Sequence, residues 1–211
     1  MTETGLTPEK ASGRRSPRIS NGAWRCCGGK RKDREGNMAS NHGLRGSTLE
    51  AMINLTIERY REDALALIQK VPTPITPLNI DKESRHITLA YFDQKSTVDY
   101  IGVVQGIPVC FDAKECASDT VPLHNVHPHQ IRFMEDFEAQ QGIAFVILLL
   151  THRDECYYLP LRQLKVFWDR AQAGGRKSFT YEEIDQSYRV GAAPGCPVHF
   201  LTMLQKDLDE R

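Results

Sequence analysis

Thr97-Val98-Asp99-Tyr100-Ile101-Gly102-Val103-Val104-Gln105-Gly106-Ile107-Pro108-Val109-Cys110-Phe111-Asp112-Ala113-Lys114 reads as a β-hairpin. Two runs rich in β-branched and aromatic residues, Thr97–Val104 and Ile107–Lys114, flank Gln105-Gly106, and a two-residue X-Gly loop closes tight hairpins. With that loop Val104 faces Ile107. The pairs outward are Val103 with Pro108, Gly102 with Val109, Ile101 with Cys110, Tyr100 with Phe111, Asp99 with Asp112, Val98 with Ala113 and Thr97 with Lys114. Side chains alternate between faces. One face, with Val98, Tyr100, Gly102, Val109, Phe111 and Ala113, is therefore wholly apolar. The other gathers Thr97, Asp99, Asp112 and Lys114 at one end. A slip of one residue would mix the two sets, which supports the register. Pro108 lacks an amide hydrogen and must occupy a non-hydrogen-bonded position.

Two carboxylates directly opposite each other have Cβ atoms about 4.5–5.5 Å apart and repel. Three things relieve such a pair: a hard divalent cation, since Mg²⁺ prefers carboxylate oxygens and water, a shared proton, or Lys114. The plain alternative is a surface salt-bridge cluster of Asp99, Asp112 and Lys114. An acid followed one strand later by Asp-x-Lys resembles the arrangement of the PD-(D/E)xK nucleases. Its chemistry is coherent: the acids hold Mg²⁺ beside a scissile phosphate, and bound water becomes more acidic. A lysine two residues on, on the same face, stabilises the charge growing on the phosphate.

Outward from the hairpin the chain alternates helical and extended patterns. Ser47-Thr48-Leu49-Glu50 reads as a capping box. Leu49, Met52, Ile53, Ile57, Tyr60, Ala64, Leu67 and Ile68 then recur at helical spacing, which predicts a helix running to about Lys70, before Pro72, Pro74 and Pro77. Glu50 could reach a metal from this helix, although its capping role already accounts for it. Val71–Ser84 is a Pro-rich extended excursion and Ile87–Phe92 a strand. Pro128–Gln141 is an amphipathic helix stopped by Gly142, and the unbroken apolar run Ile143–Leu150 is a strand buried on both faces. Tyr157–Leu161 is its neighbour. Leu161–Ala173 is a helix ended by Gly174-Gly175, with Phe167 and Trp168 as core, and Pro197–Glu210 a last short helix. Arg170, Arg176 and Lys177 either line a DNA face or answer a helix dipole. His124, His127 and His129 sit in a loop whose nearby carboxylates suit Mg²⁺ better than zinc. The pattern implies an α/β domain with a mixed sheet.

The 211 residues suit one domain with a tail. Apolar residues make up 40% and charged ones 26%, which permits a core and excludes wholesale disorder. The zero net charge hides an asymmetry. Residues 1–46 carry ten Lys and Arg against four acids, and 47–211 carry 17 against 23. Residues 1–46 also hold eight of the fifteen glycines, so they read as a flexible basic tail, either a phosphate-binding arm or a leader preceding a start at Met38. The longest apolar run, Ile143–Leu150, is too short for a membrane helix of roughly 20 residues. No signal-peptide core appears at the N-terminus and the six cysteines form no CxxC pair. The expectation is a soluble, cytoplasmic protein with no membrane association.

Several segments in the same order closely resemble the RecU-type Holliday junction resolvases: Gly43-Leu44-Arg45-Gly46, Lys70-Val71-Pro72-Thr73-Pro74, Ala90-Tyr91-Phe92, Ser96–Gly102, Phe111-Asp112-Ala113-Lys114-Glu115, Pro122–Gln130, Phe167-Trp168-Asp169-Arg170 and Gly175-Arg176-Lys177-Ser178. The resemblance covers roughly residues 40–195. It implies a restriction-endonuclease-like mixed β-sheet flanked by helices, with a protruding stalk at 71–92 inside a nuclease domain of 47–200, followed by a C-terminal extension at 201–211. It implies a homodimeric, Mg²⁺-dependent endonuclease, Mn²⁺ being an acceptable substitute. Such an enzyme places paired symmetric nicks in four-way junction DNA during recombination and repair, with a recombinase or branch-migration protein as a further partner. Carried over residue by residue, Thr97, Asp99, Asp112 and Gln130 look like the metal site and Lys114 like the transition-state stabiliser. Arg45, Lys70 and Lys82 look like phosphate contacts, and Phe92 like a residue that packs on an open base step. Family members carry Glu where this chain has Asp112, which shortens the reach to a metal by one methylene. The alternatives are a related nuclease acting on other DNA and a non-catalytic junction-binding protein.

Overall fold

The computed structural model describes residues 48–81, 83–84, 86–92 and 97–211. Along the chain come α1 (Thr48–Glu62), β1 (Ala66–Lys70), β2 (Ile75–Ile80), β3 (Ile87–Phe92), β4 (Tyr100–Val104), β5 (Ile107–Cys116) and β6 (Thr120–Pro122). Then follow α2 (Pro128–Ala139), β7 (Ile143–Leu150), β8 (Glu155–Pro160), α3 (Leu161–Gln172), β9 (Ser178–Thr180), β10 (Arg189–Val190) and α4 (Leu201–Asp209).

The first helix turns Leu49, Ile53, Ile57 and Tyr60 inward. It stops at Glu62 rather than near Lys70. Ala64 adopts a left-handed conformation, φ 54°, and the Leu65 amide donates to the Tyr60 carbonyl at 2.8 Å, a helix ending made without a glycine. Ala66–Lys70 continues as a strand whose Ala66 and Ile68 are buried and whose Leu67 is exposed. Leu67 and Ile68 matched the helical spacing by coincidence.

Six strands form the main sheet in the order β1-β4-β5-β7-β8-β10. Strands β5 and β7 are parallel, joined by a crossover through α2, and the other neighbours are antiparallel, so the sheet is mixed as expected. All eight residues of β7 are buried, because helices cover both faces there. On one face α1 and α4 pack Leu49, Ile53, Tyr60, Leu201 and Leu204 against Val109, Phe111 and Phe145. On the other, α2 and α3 pack Ile131, Met134, Leu164 and Phe167 against Cys110, Val146 and Leu148. The segment after residue 200 thus contributes to the first core.

The hairpin register is the expected one over its whole ladder, from Val104↔Ile107 to Tyr100↔Phe111. Gln105 (φ 46°) and Gly106 (φ 89°) both occupy positive φ, the requirement of a type I′ loop, whose twist matches that of the strands. A row of stacked rings crosses the sheet: Tyr100 on Phe111 at 4.8 Å, Phe111 on Phe145 at 4.8 Å, Phe145 on Tyr158 at 4.2 Å and Tyr158 on Tyr188 at 5.7 Å. Cross-strand aromatic pairs contribute about 0.2–1 kcal/mol each. This row pins the register one residue away from Asp99 and Asp112.

The Pro-rich excursion is a β-ribbon. Strands β2 and β3 form a separate two-stranded sheet with register shifts at Pro77/Asn79 and Asn79/Ile80. Ile75, Leu78, Ile80, Ile87, Leu89 and Tyr91 on it are exposed.

Candidate active site

Where the β4–β5 ladder ends, side chains take over the pairing. The Asp99 amide donates to Asp112 Oδ1 at 3.0 Å, and the Ala113 amide donates to Asp99 Oδ2 at 3.0 Å. The Asp99 carbonyl accepts the Val71 amide at 2.8 Å, which ties the root of the ribbon to the site. Thr97, two residues before Asp99, is half-buried. These side-chain bonds release the backbone from the pleat, and one expectation is corrected there. Val98 is not opposite Ala113 on the apolar face; it is buried in the core that holds Cys110, on the other side of the sheet. The acid-bearing face is partly buried, Thr97 and Asp99 being half-buried. It lies beneath α2, and the Asp112 side chain is 0% exposed.

Burial pushes the Asp112 carboxyl up to about 7; the Lys114 ammonium opposes that shift and Asp99 adds to it. Lys114 Nζ lies 2.6 Å from Asp112 Oδ2, yet the contact lacks hydrogen-bond geometry, and Oδ2 is a buried oxygen with no hydrogen-bond donor. The positive group that meets this oxygen is the Lys114 ammonium, which offsets the cost of burying it. Among the described residues no group of three or more His, Cys, Asp and Glu side chains is gathered to hold a metal. A cation here would therefore rely on two carboxylates and on hydroxyl or amide oxygens. That donor set fits a hard ion that keeps waters, Mg²⁺ or Mn²⁺, and not zinc.

Gln130 lies near the start of α2, at about the level of this end of β5. Glu138, one of the acids that push the buried Cys110 thiol up after burial itself, accepts the Ala144 amide at 3.3 Å, and Ala144 is the ladder partner of Cys110. Eight residues back along α2 is about 12 Å at 1.5 Å per residue. The strand covers the same distance in about four residues, which brings the level of Gln130 to that of Asp112–Lys114. Gln130 is buried, and its Oε1 accepts the His127 amide at 3.0 Å in a capping box that has Pro128 at the first helical position. The amide oxygen has a second lone pair left for a cation. The pattern His-Pro-x-Gln before an apolar run could have revealed this cap in the sequence.

On the other side of β5 the start of α1 meets the site. Glu115 Oε1 accepts the Leu49 amide at 2.7 Å, satisfying one of the unpaired donors of the helix start. Periodicity gave no sign of that role. Glu50 Oε2 takes the Lys70 ammonium at 2.7 Å, while Ser47, its expected capping partner, lies outside the described residues. Tyr100 donates to Asn54 Oδ1 at 3.1 Å, and burial, then Glu50 and Asp99, hold its phenol well above the usual range.

Of the expected DNA contacts, Lys70 ends the edge strand β1 with its side chain 42% exposed. Arg45 and Lys82 lie outside the described residues. Phe92 stands opposite Ile75 at the base of the ribbon. Arg170 is engaged at home, donating to Glu183 Oε1 at 2.6 Å and to the Ser178 carbonyl at 2.7 Å. Arg176 meets the other Glu183 oxygen.

The model of the RecU family, Recombination protein U, matches residues 44–206. Holliday junction resolvase RecU of Geobacillus kaustophilus (strain HTA426) is 44% identical over 152 residues, covering 70% of this chain and 76% of the relative. The protein of the same name from Bacillus cereus (strain B4264) is 41% identical over 159 residues, covering 74% and 78%. That of Oceanobacillus iheyensis is 44% identical over 144 residues, covering 66% and 74%. The match takes in both acids, Lys114 and Gln130, and it begins only at the end of the basic tail. The chain belongs to the RecU family.

Proposed function

We propose that this chain is a divalent-metal-dependent endonuclease that resolves four-way (Holliday) DNA junctions by paired symmetric nicks. The observation that carries the reading is the interlocked pair Asp99–Asp112, with the Lys114 ammonium 2.6 Å from the buried Asp112 Oδ2. The relatives named Holliday junction resolvase support the choice of substrate. Two copies acting as a homodimer would present one site to each of two equivalent strands. Recombination and repair in the cytoplasm would be its setting.

Asp99 and Asp112, with Thr97 and Gln130, would hold the cation, Mg²⁺ or Mn²⁺. When bound, that ion neutralises phosphate charge and acidifies water. The protein's own part is to fix the donors. The two backbone amides hold each carboxylate in one orientation, so little rearrangement is needed during reaction. The Lys114 side chain is 19% exposed, so its ammonium is partly desolvated and acts strongly on charge gathering at the phosphate. The ribbon β2–β3, rooted at the site through Val71, would enter the junction centre. Its exposed apolar side chains suit open base steps, with Phe92 at its base, while Arg45, Lys70 and Lys82 would take phosphates.

The test compares cleavage of a four-way junction with that of a linear duplex of the same sequence, in Mg²⁺ and in EDTA. The expected result is paired nicks in the junction only, and only with metal. Equal cutting of the duplex would make the chain a nuclease of another specificity. Binding without cutting in any divalent ion would make it a junction-binding protein.

A further inference from the structure

Next to the site lies a cleft of 680 Å³ between the segment leading into α2 and the end of α3. Leu123 and Val126, both buried, lie at its base. His124 and His127 line it from one wall, and Trp168 and Lys177 from the other. Among the described residues no carboxylate lines it. Its width is set by backbone: the Leu123 amide donates to the Lys177 carbonyl at 3.0 Å, and Pro122 pairs with Ser178 in the β6–β9 ladder. The cleft reaches the start of α2, where His127 and Pro128 line it and Gln130 Oε1 accepts the His127 amide at 3.0 Å.

We propose that this cleft holds one unstacked nucleotide of the DNA strand being cut, with its base against Trp168 and its phosphate at Lys177. The inference rests on the nuclease reading above. Three features carry it. The lining combines a half-buried indole, two imidazoles and an ammonium, with no acid among the described residues, the composition of a stacking platform beside a phosphate contact. Its volume lies in the range of small-ligand clefts, about 300–1,000 Å³. It also opens one helical turn from Gln130, so a nucleotide there would neighbour the phosphate under attack. A branched junction exposes bases whose stacking is already interrupted, which lowers the cost of extruding one. The residues at the cleft would then set the base preferred beside the cut.

The test uses the full-length chain carrying Trp24→Phe, which leaves Trp168 as the single tryptophan. A four-way junction added in EDTA should quench Trp168 emission. Lys177→Glu, at an exposed position, should weaken junction binding about tenfold, the scale of one lost stack or phosphate contact, and reduce the quench. Trp168→Phe should keep binding, and Trp168→Leu should weaken it about tenfold. The proposal is overturned if the parent chain binds and cuts the junction while its Trp168 emission is unchanged and Lys177→Glu binds as tightly. A parent chain that neither binds nor cuts the junction would instead remove the nuclease reading, and this proposal with it.

Discussion

Asp99 and Asp112 are interlocked through each other's strand: Asp112 Oδ1 accepts the Asp99 amide, and Asp99 Oδ2 accepts the amide next to Asp112, each at 3.0 Å. Two like charges are thereby brought together at the end of a ladder, beside one ammonium. In Asp112→Asn the Oδ1 acceptor survives and the charge is lost. Junction binding should persist while cleavage in Mg²⁺ falls by about 10²-fold or more. Gel-shift and single-turnover cleavage assays on the same preparation check both halves. Lys114→Ala should show the same split.

Asp112 has a pH signature opposite to that of an ordinary paired carboxylate. Its folded value, about 7, lies above the ordinary 3.8. Between those two values the native state holds a proton that the unfolded chain has released, so metal-free stability should fall as pH rises from about 4 to about 7 and then level off with respect to this group. Mg²⁺ binds the ionised form, so it should raise the melting temperature more at pH 8 than at pH 6. Thermal melts at both pH values, with and without Mg²⁺, check this. Asp112→Asn should abolish the difference.

Gly102 lies where β1 crosses closest to β4. A Cβ there would come within 2.3 Å of the Leu67 carbonyl oxygen and 2.6 Å of Ile68 Cα, both backbone atoms that cannot swing away. Gly102→Ala should destabilise the fold by about 1–3 kcal/mol, measured by urea unfolding. Because β1 ends at Lys70 and Val71 bonds Asp99, the variant should also cut more slowly at temperatures where it remains folded.

Asp207 fixes α4 to the sheet. Its side chain is fully buried, accepts from the Tyr158 hydroxyl at 2.8 Å, and meets the Arg162 and Arg211 guanidinium groups. Asp207→Ala removes the buried acceptor of that network and leaves the Tyr158 hydroxyl unpaired, while Arg162 keeps Glu210 and Arg211 keeps Glu138, and should cost about 1–3 kcal/mol. Chemical denaturation measures the loss. A shift smaller than about 1 kcal/mol would mean that α4 does not hold the domain together.

The hairpin was legible because two independent signals agree in it: a period of two in apolar residues, and an X-Gly loop that only positive φ at both positions can close. β7 was legible because an unbroken apolar run has few other places to go. β1 was not, because Leu67 and Ile68 continue the helical spacing of α1 and the residue that breaks the helix, Ala64, is not a turn former. The short strands β6, β9 and β10 carry too few residues for a period to show. At the site itself, residue types and their order were readable. The turn of Val98 into the opposite core and the Glu115 bond to the start of α1 were not, since each depends on contacts between segments distant in sequence, whereas the Gln130 cap is local and its pattern was there to be read.

A crystal grown with Mn²⁺ and recorded at the manganese absorption edge would reveal a cation on the interlocked carboxylates beside Lys114. The expected result is an anomalous peak bonded to oxygens of both Asp99 and Asp112, within reach of the Gln130 amide. A peak elsewhere, with Lys114 still closing on Asp112 Oδ2 and both carboxylates unligated, would contradict it.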